Sequence, residues 1–430
     1  MTKMRIIWLS NKVQSDRDRG GTGSWLDAMA QGLIQSGEVE LGNIAQGGVA
    51  KVTRQDCGEI CQWIVPSVAK PRRRGGLPKG RFITEIVKAV EDFSPDLVQV
   101  WGTEGFWGLL TARELIRQTA ILEIQGLKGA IARVFYGGLN FREQLACIGL
   151  KEILRQSTIF QGRKQFQDWG IREEEIISGH RFIITQSAWL EAQVKAINSR
   201  CQLFHNEFPL MEEFHMAEPW QPQAVAVILC SASYPSAFKG LHVAIRTVAI
   251  LKNRFPNIQL RIAGVNQKHG IRQDGYVAWL NREAKRLGVE TNLFWLGHIP
   301  TIDLVCELQK CSVFILPTFV EGYCLALAEA MMLGVPTVVS FTGGTSFLAK
   351  DENSALFFPA GDEAMGAYQL ERLLTDRFLA KRLSCRAREV ALVRNDRERI
   401  IKRQLEIYRQ VIAESKNNRG PITCISKEGT

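Results

Sequence analysis

TFVEGYCLALAEAMMLGVPTVV, residues 318–339, contains only two charged side chains, Glu321 and Glu329, among apolar or small residues. Burying an unpaired carboxylate costs several kcal/mol or forces the group to hold a proton. Two acids in such an apolar stretch therefore require polar partners, which the stretch itself does not supply.

The stretch follows VFILP, residues 313–317, which is typical of a buried strand. Residues 318–323 are predicted to form a loop, and residues 324–333 a helix that Gly334 and Pro336 end. The first acid thus lies beside a helix N-terminus, where free N–H groups and the helix dipole attract anions. An acid near a helix start is also common in purely structural settings, so its role stays open at this point.

The second acid, Glu329, lies in a predicted helix that is apolar around its whole circumference. A helix of that kind is buried. Either an arginine or a backbone donor elsewhere in the chain satisfies the carboxylate, or a hydroxyl group of a ligand does. Two acids spaced along a strand, a loop and a helix can grip two parts of one extended, hydroxyl-rich ligand whose phosphates lie between them.

Outside this stretch, apolar strand-like runs alternate with helical ones. The runs are MRIIWLS (4–10), DLVQVW (96–101), FIITQ (182–186), AVAVILC (224–230), LRIAG (260–264), NLFWLG (292–297) and PTVVS (336–340). Uninterrupted apolar strands between helices favour parallel sheets covered on both faces. The sequence therefore predicts an α/β fold with two doubly wound, Rossmann-like domains facing a cleft, where ligands bind beyond the carboxyl ends of the strands.

The chain length of 430 residues favours two domains. The prolines at 209, 219 and 222 indicate a linker. The predicted division is an N-terminal domain (1–208), a linker (209–222), a C-terminal domain (223–385), a helix packing back on the protein (386–415) and a flexible tail (416–430). The helix is expected to use Ile400, Ile401, Leu405, Tyr408 and Ile412 for that packing.

The composition, 46% hydrophobic and 23% charged, is ordinary for a soluble globular protein. The ten cysteines show no paired framework, which favours a reduced, cytoplasmic protein without a zinc site. The net charge of +10 is concentrated near the C-terminus and in the loop Lys70–Arg81. Such clusters attract phosphates of nucleic acid, anionic lipid or substrates, although a solvated surface explains each of them equally well.

The Glu-x7-Glu pair continues as EAMMLGVPTVVSFTGGTSFLA and is followed by PAGD (359–362). This pattern resembles glycosyltransferase family 4, retaining enzymes of the GT-B fold that transfer a sugar from a nucleotide donor. The resemblance implies that Glu321 contacts the donor sugar and that Glu329 contacts the ribose hydroxyls. It also implies that the N-terminal domain binds the acceptor and that the C-terminal domain binds the nucleotide-sugar. The resemblance spans most of residues 1–375 and is strongest in the C-terminal domain.

Other stretches resemble the same family in the same order along the chain. Gly20-Gly21-Thr22-Gly23 resembles its glycine-rich loop after the first strand, and the segment from Ser231 to Lys239-Gly240 resembles the one that supplies a diphosphate-binding lysine. Gly264 lies where the family has a turn at the nucleotide pocket. Residues 101–104 and 124–127 are similar to a bacterial subgroup that elaborates surface polysaccharides.

Residues with catalytic and donor-binding roles follow from the resemblance. The implied catalytic residues are Glu321, Lys239 and Glu104; the implied donor-binding residues are Gly21, Gly23, Ser233, Lys239, Gly264, Glu321, Gly322, Tyr323, Cys324, Leu325 and Glu329. Glu104 follows a buried strand, so it either positions the acceptor and accepts a proton or caps the next helix.

The sequence departs from the family pattern at two places. Many members carry an arginine about five residues before the phosphate lysine, and residues 234–238 hold no cation. Arg246, Arg261, Lys268 and Arg272 are the candidates to replace it. Cys324 stands where the family often has glycine.

No metal and no cofactor are expected, because the single Asp-x-Asp spacing, Asp16-Arg17-Asp18, is flanked by arginines and belongs to another fold type. The predicted function is a retaining, metal-independent glycosyltransferase that moves a sugar from a nucleotide-sugar donor to a glycan or lipid-linked acceptor. A nucleotide-sugar epimerase of the same fold, an inactive GT-B scaffold and a basic nucleic-acid-binding protein are the alternatives.

An anionic membrane surface is a predicted further partner, reached through Lys70–Arg81, so the protein is expected in the cytoplasm at the inner face of the cell membrane. Nucleic acid is not an expected partner, since the basic C-terminal region has few aromatic residues for base stacking.

Overall fold

The computed structural model describes residues 3–15, 23–67, 75–266 and 273–417. These residues form two β-sheets with helices packed around them. The predicted α/β class with two doubly wound units is confirmed, because in each sheet the chain starts near the middle and winds outward in both directions.

The N-terminal sheet has the strand order β3-β4-β2-β1-β5-β6-β7-β8, and only the short β3 runs antiparallel to its neighbour. Its strands are β1 (Met4–Ser10), β2 (Val39–Gly47), β3 (Thr53–Arg54), β4 (Cys61–Pro66), β5 (Leu97–Trp101), β6 (Ala120–Glu123), β7 (Phe182–Thr185) and β8 (Gln202–His205). Alternate side chains of β1 enter separate apolar clusters, with Ile6 and Trp8 in one and Ile7 and Leu9 in the other. The sheet is therefore covered on both faces, as uninterrupted apolar strands predict.

Helices join the strands of the N-terminal half and lead into the second half. They are α1 (Ser24–Gln35), α2 (Gly80–Phe93), α3 (Trp107–Ala112), α4 (Lys128–Arg133), α5 (Phe141–Ala146), α6 (Leu150–Leu154), α7 (Ile159–Ser178), α8 (Ala188–Ile197) and α9 (Glu212–Met216). Between β6 and β7 the chain makes a long excursion through α4 to α7. This excursion contacts helices of the other half of the protein.

The C-terminal sheet is wholly parallel, with the order β11-β10-β9-β12-β13-β14. Its strands are β9 (Val227–Ser231), β10 (Gln259–Ala263), β11 (Leu293–Gly297), β12 (Val313–Leu316), β13 (Thr337–Ser340) and β14 (Leu356–Phe358). Its helices are α10 (Leu241–Leu251), α11 (Gly275–Arg286), α12 (Thr301–Lys310), α13 (Leu325–Leu333), α14 (Thr345–Leu348) and α15 (Glu363–Thr375).

Two last helices, α16 (Arg377–Arg394) and α17 (Arg397–Asn417), end the described chain. The break between them falls at 395–396, later than the boundary at 386 that the sequence suggested. All five apolar positions singled out in α17 are buried. The helix packs on α1, and its Tyr408 and Gln404 both donate hydrogen bonds to Gln99 of β5. The last helix of the chain thus completes the N-terminal half.

Among the helices of the described residues, none combines the length and the apolar character that a membrane span requires.

Candidate active site

A cavity of about 350 Å³ lies between the two sheets, at the carboxyl ends of their strands. The loops that follow β5 and β6 form one wall, and the loops that follow β9, β10 and β12 form the opposite wall. Open parallel sheets bind ligands at these ends. The cavity therefore has the position that the fold predicts for a substrate site.

The structure brings the sequence-predicted site residues together around this cavity. Gly23, Glu104, Ser233, Lys239, Gly264, Glu321, Gly322, Tyr323, Cys324, Leu325 and Glu329 all line it. Gly21 lies outside the described residues. Tyr323 lines the cavity although its hydroxyl accepts a hydrogen bond from Asn395 Nδ2 at 2.8 Å, so its side chain also fastens the loop to the junction of α16 and α17.

An ion pair joins two of the three predicted catalytic residues, both on the C-terminal wall of the cavity. Lys239 Nζ lies 2.7 Å from Glu321 Oε1, and the two side chains are 20% and 14% exposed. Burial alone would lower the pKa of Lys239, but the charge and the hydrogen bond of Glu321 outweigh it, and the pKa lies above its ordinary value. The lysine therefore stays protonated and offers its charge to an anionic ligand.

The turn that carries Lys239 depends on the glycine after it. Gly240 has a φ of 72°, where side chains other than glycine are strained, and it begins α10. A Cβ atom at this position would overlap the carbonyl oxygen of Pro317, the residue that follows β12. The backbones of the lysine turn and of the glutamate loop therefore approach each other only because position 240 is glycine.

Gly240→Ala is expected to destabilise the protein by about 3 kcal/mol or more, through the positive φ and the overlap together. Gly80→Ala is the matched control, because a Cβ at the first residue of α2 meets no atom within 4 Å. The control is expected to be neutral or to stabilise by up to about 1 kcal/mol. Urea unfolding of both variants checks this, and equal midpoints would contradict the assigned packing.

Cys324 caps the N-terminus of α13 in a left-handed conformation, with φ 81° and ψ 73°. Among the described residues no side chain caps this helix end, so the first N–H groups of α13 have no side-chain acceptor there and lie beside the cavity that Cys324 and Leu325 line. Together with the helix dipole they favour an anion such as a phosphate group. A non-glycine residue at this φ costs about 1–2 kcal/mol, which indicates a backbone shape held for a purpose other than stability.

Glu329 lies in the second turn of α13 with its carboxylate at the cavity wall. The residue is 9% exposed, and burial raises the pKa of its carboxyl group to about 8. No hydrogen bond or ion pair to its side chain occurs within the part of the chain that the structure describes. Of the alternatives left open by the sequence, an internal arginine or backbone donor is therefore not found there.

Glu104 lies on the opposite wall, in the loop after β5. Burial raises the pKa of its carboxyl group to about 7, and its Oε2 atom is buried without a hydrogen-bond partner in the described structure. The alternative that it caps the next helix is wrong, because α3 begins after Phe106 without a side-chain cap. Lys128 Nζ donates to the Glu104 carbonyl oxygen at 2.6 Å and holds the loop in place.

The two described candidates for the missing arginine pair with carboxylates elsewhere and do not line the cavity. Arg246 pairs with Glu143, Glu283 and Glu363, and Arg261 pairs with Glu307. Lys268 and Arg272 lie outside the described residues, as does the Asp16-Arg17-Asp18 spacing. Within the described ranges, no three His, Cys, Asp or Glu side chains are grouped so that they could hold a metal ion.

Reasoning from the sequence missed several residues that line the cavity or pack against its loops. On the polar side, Ser187 Oγ donates to the Gly322 carbonyl oxygen at 2.9 Å and links the two halves of the protein. Gly343 and Gly344 pack so closely against the Glu321 loop that a Cβ on either would overlap it. The paired glycines were a usable signal. The apolar side of the cavity gave no signal in the sequence, because its members are scattered along the chain. They are Trp25, Leu127, Ile131, Trp189, Phe208, Phe214, Tyr234 and Phe238.

Comparison with known proteins adds a family pattern to this geometry. Residues 213–390 match the family model described as glycosyl transferases group 1. Protein CapJ of Staphylococcus aureus is 34% identical over 110 residues, 25% of this chain and 26% of CapJ. A D-inositol 3-phosphate glycosyltransferase of Corynebacterium aurimucosum is 30% identical over 141 residues, 32% of each chain. The matched segments thus span about a quarter to a third of these curated relatives.

Solved structures resemble nearly the whole chain. Sucrose-phosphate synthase from Thermosynechococcus elongatus superposes with a TM-score of 0.70 at 16% identity, covering 96% of this chain and 100% of that one. HepE from Anabaena in complex with UDP-glucose superposes with a TM-score of 0.64 at 14% identity and the same coverage. At such identities the likeness concerns the fold. Residues 213–390 therefore match the pattern of the glycosyl transferases group 1 family, and the chain as a whole has the GT-B fold.

Proposed function

We propose that the protein transfers a sugar from a nucleotide-sugar donor to a hydroxyl group of an acceptor, with retention of the anomeric configuration. The observation that carries the proposal is Glu329, a buried carboxylate at the cavity wall that no described protein group satisfies. Ribose hydroxyls can donate the hydrogen bonds that this carboxylate lacks. The family pattern of residues 213–390 and the GT-B fold support the same reading.

In the proposed complex the donor lies along the C-terminal wall. Its diphosphate occupies the free N-terminus of α13 beside Lys239, where the N–H groups, the helix dipole and a protonated amine provide positive charge. Its ribose meets Glu329, and its sugar meets Glu321. The solved HepE complex with UDP-glucose makes a uridine diphosphate sugar the first donor to test.

The proposed reaction breaks the bond between the anomeric carbon and the diphosphate oxygen and forms a bond to the acceptor oxygen on the same face. The acceptor hydroxyl gives its proton to the departing phosphate. Lys239 and the N-terminus of α13 stabilise the negative charge that develops on the leaving group. Glu104, on the opposite wall and with a pKa of about 7, positions the acceptor by accepting a hydrogen bond from a second hydroxyl of the acceptor, so the attacking hydroxyl keeps its proton for the departing phosphate.

For the acceptor and the cellular location we propose a general class. The wall of aromatic and aliphatic side chains on the N-terminal side suits an acceptor with an apolar portion, such as a lipid-linked glycan. We place the enzyme in the cytoplasm and propose turnover without a metal ion. The membrane contact through Lys70–Arg81 stays a prediction, since residues 68–74 lie outside the described structure.

A thermal-shift panel of uridine, guanosine, adenosine and cytidine diphosphate sugars tests the donor site. One base is expected to raise the unfolding temperature clearly, by the mass-action stabilisation of a ligand that binds the native state. Stabilisation by the nucleoside diphosphate without its sugar would assign the diphosphate subsite separately. An equal response to all four bases, or none, contradicts the proposal.

Product analysis then separates the enzyme classes. Incubation of the stabilising donor with candidate acceptors is expected to yield a glycosylated acceptor with the anomeric configuration of the donor. Conversion of the donor into a different sugar without any acceptor would identify an epimerase instead. Binding of the donor without conversion in the presence of any acceptor tried would favour an inactive scaffold.

A further inference from the structure

An exposed apolar surface lies on α5 and α6, away from the cavity. It consists of Phe141, Leu145, Leu150, Ile153 and Leu154, whose exposed fractions run from 47% to 70%. Isolated exposed apolar side chains are ordinary, but a cluster of large ones marks an interaction site. We refer to these five side chains, with Arg142 and Arg155, as the α5–α6 surface.

The helical spacing places these apolar side chains on common faces. Phe141 and Leu145 stand four residues apart on α5, and Leu150, Ile153 and Leu154 occupy the i, i+3 and i+4 positions of α6. Residues at those spacings are neighbours on a helix surface. Each helix therefore presents an apolar face outward, although its ordinary preference would be to bury that face.

The acidic side chains of the same segment are turned away from this surface. Glu143 pairs with Arg246 of α10, and Glu152 is buried, where its oxygen accepts from the Gly275 N–H at 3.3 Å. Arg142 and Arg155 are exposed, with no carboxylate partner in the described structure. The surface is thus apolar and basic, with its negative charges internal.

Contacts with the C-terminal half hold the surface in place. Besides the two glutamates, Arg282 of α11 donates to the Ala146 carbonyl oxygen at 2.6 Å, and the Gly137 carbonyl oxygen lies 2.9 Å from His242 Nε2 of α10. The helix pair is therefore anchored on its inner side to a neighbouring unit. Its outward apolar face is not a consequence of loose packing.

We propose that the α5–α6 surface docks the protein on an anionic membrane, with its apolar side chains in the interfacial region and its arginines against the phosphate groups. Charge complementarity selects this occupant, because anionic lipids neutralise Arg142 and Arg155. A second copy would instead bring two arginine-bearing faces together in a chain whose net charge is already +10. The proposal is independent of the glycosyl transfer proposed above.

The test is flotation of the purified full-length protein with vesicles of phosphatidylcholine, with or without phosphatidylglycerol. The wild type is expected to bind the anionic vesicles more tightly, and less so in high salt. Ile153→Ser with Leu154→Ser is expected to weaken binding at least about tenfold through lost apolar burial. Arg142→Glu with Arg155→Glu is expected to weaken binding at least about tenfold on anionic vesicles only.

Matched controls change equivalent groups elsewhere. Phe378→Ser removes an apolar side chain that is 91% exposed on α16, and Arg200→Glu reverses an exposed arginine after α8. Both controls are expected to bind vesicles as the wild type does. The unfolding temperatures and the donor-induced shifts of all variants are expected to match the wild type, which separates this test from the donor proposal.

Three results would overturn the proposal. The first is a wild type that binds neither kind of vesicle. The second is loss of binding in Lys79→Glu with Arg81→Glu but not in the α5–α6 variants, which would assign the lipid contact to the basic loop. The third is light scattering that shows a dimer without vesicles, dissociated by Ile153→Ser with Leu154→Ser, which would make this surface an interface between two copies.

Discussion

Glu329→Gln is expected to stabilise the ligand-free protein at pH 8 by a few kcal/mol and to abolish its stabilisation by the donor. Burial raises the pKa of the Glu329 carboxyl to about 8 in the folded protein, against an ordinary value of 4.5. Between these values the folded state holds a proton that the unfolded state has released. Stability therefore falls as the pH rises through this window and levels off near pH 8. Because glutamine cannot ionise, the variant does not lose stability in this pH range.

The measurement is urea unfolding of wild type and variant at intervals from about pH 5 to about pH 9. The difference in unfolding free energy between variant and wild type is expected to grow with pH. A change in packing alone would give a difference that does not depend on pH. Glu174→Gln, which replaces an exposed acid on α7, is expected to follow the wild type at every pH. A pH-independent difference for Glu329→Gln would show that the carboxyl is not desolvated.

The second half of the prediction concerns ligand binding. Hydrogen bonds from hydroxyl groups stabilise the ionised carboxylate. Binding of the nucleotide-sugar by the wild type is therefore expected to release a proton near neutral pH. Calorimetry in buffers of different ionisation enthalpy measures this release. In Glu329→Gln both the proton release and most of the donor-induced shift in unfolding temperature are expected to disappear. Full retention of the shift would remove Glu329 from the donor site.

Lys239→Ala is expected to lower the transfer rate at least about 100-fold, because the leaving diphosphate loses its nearest cation. It is also expected to destabilise the protein by about 3 kcal/mol, since the partly buried Glu321 is left without the amine that lies 2.7 Å away. Lys381→Ala, which removes an exposed lysine of α16, is the control and is expected to change neither quantity.

A double-mutant cycle separates the two effects. Adding Glu321→Gln to Lys239→Ala removes the orphaned charge, so stability is expected to recover while the transfer rate stays low. Denaturant unfolding and initial rates with the stabilising donor measure the two quantities. If the double variant is as active as Glu321→Gln alone, the lysine acts only through its neighbour, and its assignment to the leaving group is wrong.

The strands that the sequence revealed are those with unbroken apolar runs, such as β1, β5 and β12. The strand β2 was not recognised, because Asn43 interrupts its apolar pattern. In the structure Asn43 is fully buried and bonds to Ser10 of β1 and Gln62 of β4. A polar side chain in a sheet interior is stable only with partners on neighbouring strands, and those partners lie far away in sequence.

The C-terminal wall of the candidate site was accessible from the sequence, because its residues occur in short segments at strand ends. The glutamates, the lysine turn and Gly264 each carry a local pattern. The opposite wall was not accessible. Trp25, Trp189 and Phe214 are indistinguishable from core residues until the sheets are assembled, and they line the cavity only because distant loops converge. The pairing of Lys239 with Glu321 likewise depends on the turn at Gly240.

The position of α17 has a consequence for biosynthesis. Its Tyr408 is fully buried against Trp8 of β1, and its Gln404 bonds to Asn206 at the end of the N-terminal half. Because α17 follows the N-terminal half by nearly 200 residues in the chain, the nascent N-terminal half exposes the apolar surface that this helix later covers. The N-terminal half therefore completes its packing only after α17 has left the ribosome, and a chaperone that shields this surface until then would improve the yield of native protein.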